Sequence, residues 1–237
     1  MFNKAWCKTI LLLGGCSIAV MAQAMDFAVH VPYLVMSGGV VGNEARILAA
    51  ALKDNPGITT IILKDSHGGF APTGYDVGQM IRERGLNTAL SGYCLSSCSR
   101  MFLGGNQRQY SDDQPLEMTT VGFHGNYSDQ GQLLPSSTAI LKPWIDKYSD
   151  GKANPALVDQ WVHIQTNHGM AFFYHKDAQV KFDSPEKVLL CLGTEDRHAR
   201  AEQCQKPHLG NALDNGIVTT WDILKVRDVI NAPTTGK

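Results

Sequence analysis

Three short segments of the chain carry groups able to do acyl-transfer chemistry. The first, Asp65-Ser66-His67-Gly68-Gly69, ends in paired glycines whose bare backbone N–H groups can approach an anion closely. The second, Gly92-Tyr93-Cys94-Leu95-Ser96-Ser97-Cys98-Ser99, sets small and nucleophilic side chains at the start of an apolar helix, where the dipole and free amides favour a developing oxyanion. The third, Val121-Gly122-Phe123-His124-Gly125, ends a strand on a histidine. Each has a plainer reading by itself: a Gly-Gly turn, a serine N-cap, a histidine satisfied within the structure. Together they supply what a serine nucleophile requires, namely a base and a pair of oxyanion donors.

The elements that must position these segments alternate. Residues 27–36 are apolar and β-branched and read as a strand ending in the Ser37-Gly38-Gly39 turn. Asn43 is a suitable N-cap for a helix over residues 45–52 that places Ile47, Leu48, Ala51 and Leu52 on one face, closed by Pro56-Gly57. A buried strand over 59–63, a loop over 65–69, a helix over 73–84 with Val77, Met80 and Ile81 inward, a strand over 88–91, a helix over 97–103 and a strand over 119–123 follow. That order demands crossover connections and an α/β fold with a mainly parallel sheet. In such sheets ligands bind at the carboxyl ends of the strands, where the three segments fall. Beyond His124 the pattern changes to a polar stretch over 126–137 and a helix started by Asn154-Pro155, a C-terminal helical extension of the same domain.

Composition narrows the partners. The 237 residues are 43% apolar and 18% charged, with 21 Lys+Arg against 22 Asp+Glu, so no electrostatic footprint for nucleic acid or an anionic membrane surface exists. Residues 1–24 read as a signal peptide: Lys4 and Lys8 precede an apolar stretch over 10–21, and Ala22-Gln23-Ala24 offers a cleavage site. A membrane anchor needs about 18 or more apolar residues, and this run is shorter and broken by Gly14 and Gly15. Leu13-Gly14-Gly15-Cys16 is close to the pattern before a lipoprotein cysteine, which makes lipidation at Cys16 the alternative. Loss of Lys4 and Lys8 leaves 19 basic against 22 acidic residues, a charge of −3 on a single domain of residues 25–237 in the periplasm or outside the cell.

Export leaves four cysteines in an oxidising compartment, where disulfides persist. Cys191 and Cys204 are the preferred pair, closing a polar loop, whereas Cys94 and Cys98 can pair only if their turn is not regular helix. The histidines show no HExxH spacing and the cysteines no CxxC, so no metal and no other cofactor is expected.

Ser37-Gly38-Gly39-Val40-Val41, Ile62 to Gly69, Tyr93 to Gly105 and Gly122 to Gly125, in this order, resemble the Clp protease proteolytic subunit and its exported, periplasmic relatives in the ClpP/crotonase superfamily. The likeness spans residues 35–125. It implies repeated β-β-α units, with Ser96 as nucleophile, His124 as general base, and the amides of Gly69 and Ser97 as oxyanion hole. A histidine, His67, stands where the family has proline, and Ser96 to His124 spans 28 positions, slightly longer than in the cytosolic protease, the extra residues falling in the loop over 106–114. The third catalytic residue is not marked: only position supports Asp177, and the family's late alanine, glycine, apolar, valine signature fits residues 212–218 as well as the region near Pro185. The resemblance implies a peptide or unfolded-protein substrate and a homo-oligomer. No ATPase partner is expected where ATP is missing, and the export signal argues against the acyl-CoA chemistry of the crotonase branch. The alternative is a catalytically inactive relative that binds a peptide or protein in the same cleft.

Overall fold

The computed structural model describes residues 24–196 and 200–231. The leader expected over residues 1–24, with Cys16, lies outside them apart from Ala24, which bridges to Gly39. Among the described residues no helix is long and apolar enough to cross a membrane.

The strand expected over 27–36 is a hairpin, β1 (Asp26–His30) and β2 (Tyr33–Ser37), turned at Val31-Pro32. Pro32 has no N–H to give to a ladder, which is why an apolar run of this length breaks there. Then come α1 (Glu44–Asp54), β3 (Thr60–Ser66), α2 (Ala71–Glu83), β4 (Asn87–Leu95), α3 (Ser97–Leu103), β5 (Arg108–Ser111) and β6 (Thr120–Phe123). The chain continues through α4 (Lys142–Tyr148), α5 (Pro155–Val162), β7 (Met170–Tyr174), β8 (Val188–Cys191) and β9 (Ile223–Leu224). One sheet of nine strands runs in the order β1-β2-β3-β4-β6-β7-β8, with β5 beside β4 and β9 beside β5. Pairs β2·β3, β3·β4, β4·β5, β4·β6 and β5·β9 are parallel, so the mainly parallel α/β sheet expected from the alternation is present. The C-terminal extension supplies the helices α4 and α5, and it also returns β7, β8 and β9 to the sheet.

Two local expectations change. Asn43 makes no side-chain cap; the carboxylate of Glu44, fully buried, accepts instead from the amides of Val41 (2.8 Å) and Gly42 (2.9 Å). A charged acceptor binds such orphan donors more strongly than an amide oxygen can. The stretch read as loop around 106–114 contains β5, whose Arg108 is 1% exposed and gives its guanidinium to Asp150 and to the carbonyls of Gly105, Gly216 and Ile217. At Asn154-Pro155 the cap is as expected, with Asn154 Oδ1 accepting from Ala156 N at 3.0 Å.

The core lies between the sheet and α1 to α5, built on Leu48, Val77, Ile81, Phe102, Leu157 and Trp161 among others. Both disulfides form: Cys94 to Cys98, with Cα atoms 5.2 Å apart, and Cys191 to Cys204, at 4.6 Å. The first is possible because Cys94 is still in β4 and only Cys98 is in α3.

Candidate active site

Ser96 is the single residue between β4 and α3, and its backbone sits at φ 57°, ψ −123°. That is a costly conformation for a side chain with a Cβ, held only where surroundings over-determine it. Here they do. The Ser96 amide donates to the Gly122 carbonyl at the end of β6 (3.0 Å), and its carbonyl accepts from both the amide (3.0 Å) and the hydroxyl (2.6 Å) of Ser99. The Cys94–Cys98 disulfide ties the strand side of this elbow to the helix side. Helix α3 is seated by α2 through two glycines: a methyl on Gly74 would collide with the Ser97 carbonyl, and one on Gly78 would lie 2.5 Å from the Arg100 carbonyl.

The glycine loop after β3 presses against the same elbow. A Cβ on Gly68 would lie 2.5 Å from the Leu95 carbonyl oxygen and 2.9 Å from the Ser97 nitrogen. Gly68 and Gly69 take φ +83° and +145°, conformations L side chains rarely adopt. The loop is clamped by residue 40, whose amide donates to Gly68 O (2.9 Å) and whose carbonyl accepts from Phe70 N (2.8 Å). Glu44 holds the next two amides of that segment, so a buried carboxylate in α1 braces the segment that shapes the glycine loop. The amides of Gly69 and Ser97 donate no hydrogen bond among the described residues.

His124 follows β6 directly and is 7% exposed, stacked on Tyr127 with ring centroids 4.9 Å apart. Both of its ring nitrogens are buried without a hydrogen-bond partner, including Ser96 Oγ. Burial first, and the nearby Arg100 charge second, hold the imidazole down to about 3, so it stays neutral across the ordinary pH range. Asp177 does not join it. Its carboxylate, 60% exposed, pairs with Lys176 (2.7 Å) and faces His175 Nδ1 (3.8 Å), while its amide donates to that same nitrogen. His175 in turn contacts the Trp221 carbonyl at 2.9 Å, so Asp177 belongs to a different cluster.

Ser96, Gly69 and His124 line one cavity of about 890 Å³. Val41, Phe70, Leu134 and Ile140, all exposed, surround it as an apolar rim. Two lining residues went unnoticed in the sequence. Arg100 and Asn126 join across the cavity wall, with Arg100 Nη2 donating to Asn126 Oδ1 at 2.7 Å. Arg100 falls one helical turn after Ser96, which was a readable signal, but its burial depends on α2. Cys191, Cys204 and Glu195 form the one cluster of metal-binding residue types among the described residues, and its cysteines are joined to each other.

No family model and no curated protein matches the sequence. Solved structures do. The chain is similar to a mutant of the 1510-N membrane-bound stomatin-specific protease, at 15% identity over 83% of this chain and 79% of that one, with a TM-score of 0.44. It is also similar to a mutant of ClpP1 from Listeria monocytogenes, at 13% identity over 84% and 95%, TM-score 0.46. The apo enoyl-CoA isomerase of Mtb aligns at 10% identity over 87% and 79%, TM-score 0.44.

Proposed function

We propose that the protein is an exported serine peptidase-like hydrolase. The observation that carries this reading is Ser96, held at φ 57° between strand and helix, with the unengaged amides of Gly69 and Ser97 beside it and His124 lining the same cavity. In the reaction, the neutral His124 imidazole takes the Ser96 proton as Oγ bonds to a peptide carbonyl carbon. The oxyanion accepts from the Gly69 and Ser97 amides, each donor worth about 3 kcal/mol or more at such sites. His124 then protonates the leaving amine as the C–N bond breaks, and water removes the acyl group by the same route. The apolar rim suits an extended peptide or an unfolded chain. The two disulfides and the composition of residues 1–24 support an oxidising destination, the periplasm or the outside, with lipidation at Cys16 as the variant form.

One observation favours a second reading, a silent relative that binds peptide without cutting it: His124 bonds neither Ser96 nor any orienting carboxylate. Fluorophosphonate labelling of the oxidised protein separates the two. An active site labels at Ser96 and loses the label in both Ser96→Ala and His124→Ala. A folded, oxidised protein that takes up no label is the silent form.

A further inference from the structure

Two arginines are buried among the described residues, and they are treated in opposite ways. Arg108 is fully provided for by three carbonyls and a carboxylate. Arg100 is 2% exposed, yet its Nε and Nη1 have no hydrogen-bond partner. Only Nη2 is engaged, by Asn126, while the Tyr75 ring lies 4.9 Å from the guanidinium carbon. No carboxylate among the described residues pairs with it. Leaving a buried charge uncompensated is costly, and burial pulls this guanidinium below its usual value. Such a group persists where a ligand completes it.

The geometry points to Arg100 as the receptor for a carboxylate of the bound substrate, which it would grip through an unpaired donor, Nε or Nη1, together with the second N–H of Nη2, one helical turn from Ser96. This inference rests on the proposed peptide cleft and names the class of peptide it takes. A fork of two parallel N–H groups is the geometry that planar carboxylates match. The neighbours fit: Asn126, bonded also to Tyr75 and Ser136, lines the same cavity and sets the guanidinium plane. Tyr75 faces it with a ring, which supports a cation without competing for its N–H groups. A bound carboxylate would also offset the positive field of Arg100 on His124. The carboxylate has two sources, the free C-terminus of a peptide or an Asp or Glu side chain beside the bond presented to Ser96.

The test is binding to the oxidised Ser96→Ala protein, where turnover cannot interfere. The probes are an acetylated tetrapeptide with a free C-terminus, the same peptide amidated, and two amidated peptides differing only by Glu or Gln at one internal position. The expected result is about tenfold to a hundredfold tighter binding of the carboxylate member of at least one pair, with the advantage gone in Arg100→Gln. The terminal pair responding identifies a C-terminus reader, the internal pair an acidic side-chain reader. Equal affinity within both pairs, or an advantage that survives Arg100→Gln, overturns the proposal. Should Arg100→Gln fail to fold, the arginine Nε–H resonances of the Ser96→Ala protein give the answer, since Arg100 must shift with the carboxylate peptide and not with its neutral twin. These outcomes are independent of labelling. A carboxylate preference without fluorophosphonate uptake leaves Arg100 in place and removes the hydrolase, and labelling without a preference does the reverse.

Discussion

The two walls of the cleft are built to different standards. On the Ser96 side the elbow is held by Gly122, by Ser99, by a disulfide and by a glycine loop braced through residue 40 by Glu44, which leaves the Gly69 and Ser97 amides open. On the His124 side the imidazole is shelved against Tyr127 with neither nitrogen bonded. The first wall is what oxyanion stabilisation needs, since donors help only when they are fixed before charge develops. The second is what a movable or partly formed base looks like, because catalytic hydrogen bonds often tighten only once substrate is bound. The difference teaches that preorganisation here is concentrated in main chain and that the side-chain chemistry waits on a ligand.

The comparison breaks most visibly at Gly69. Gly69→Ala puts a methyl into the Val40 carbonyl at a φ of +145°, so labelling of Ser96 should fall by about a hundredfold, together with a lower melting temperature. If labelling survives, the glycine loop is not part of the oxyanion wall. Glu44→Gln removes the charge from two backbone hydrogen bonds and should cost roughly 1.5–3 kcal/mol, read in urea unfolding, with labelling reduced alongside. Stability lost with full labelling would detach α1 from the site.

The His124 wall is sharpened by pH. The folded chain binds a proton on His124 only near 3, while the unfolded chain takes one up near the ordinary 6.5. The unfolded state therefore gains stability as pH falls through that window, and the folded protein loses it. His124→Gln should flatten that part of the stability curve. The acid limb of Ser96 labelling should correspondingly fall well below pH 6. A limb at 6 to 7 would mean that the imidazole is solvated when it works. The smallest effect is expected for Asp177→Asn. Because that carboxylate faces Lys176 and His175, labelling should stay within about twofold, as for a surface change away from the site. A large loss would return Asp177 to the site.

The strands, crossovers and candidate nucleophile were legible because each is written in short-range pattern: β-branched runs, helical spacing, paired glycines and a small-residue helix start. The elbow helix over Ser97–Leu103 needed only the seven residues themselves. Where non-local contacts compete, reading failed. β5 forms because β4 and β9 flank it, whereas Pro32 breaking one strand into two and Glu44 displacing Asn43 are local effects that the pattern of apolar residues conceals. Asp177 was placed by position alone, and position says nothing of which histidine an exposed carboxylate meets.

By itself the sequence determined the alternation of strand and helix up to residue 123, the serine at the strand-to-helix junction and the four cysteines available for pairing, since these depend on residue type and local spacing. Only the tertiary structure decided which cysteines lie within bonding distance, that His124 is buried unpartnered, and that Arg100 is buried with an open fork beside Ser96. Burial and hydrogen-bond satisfaction are properties of what the rest of the chain places around a group, and residues far apart in sequence supply it.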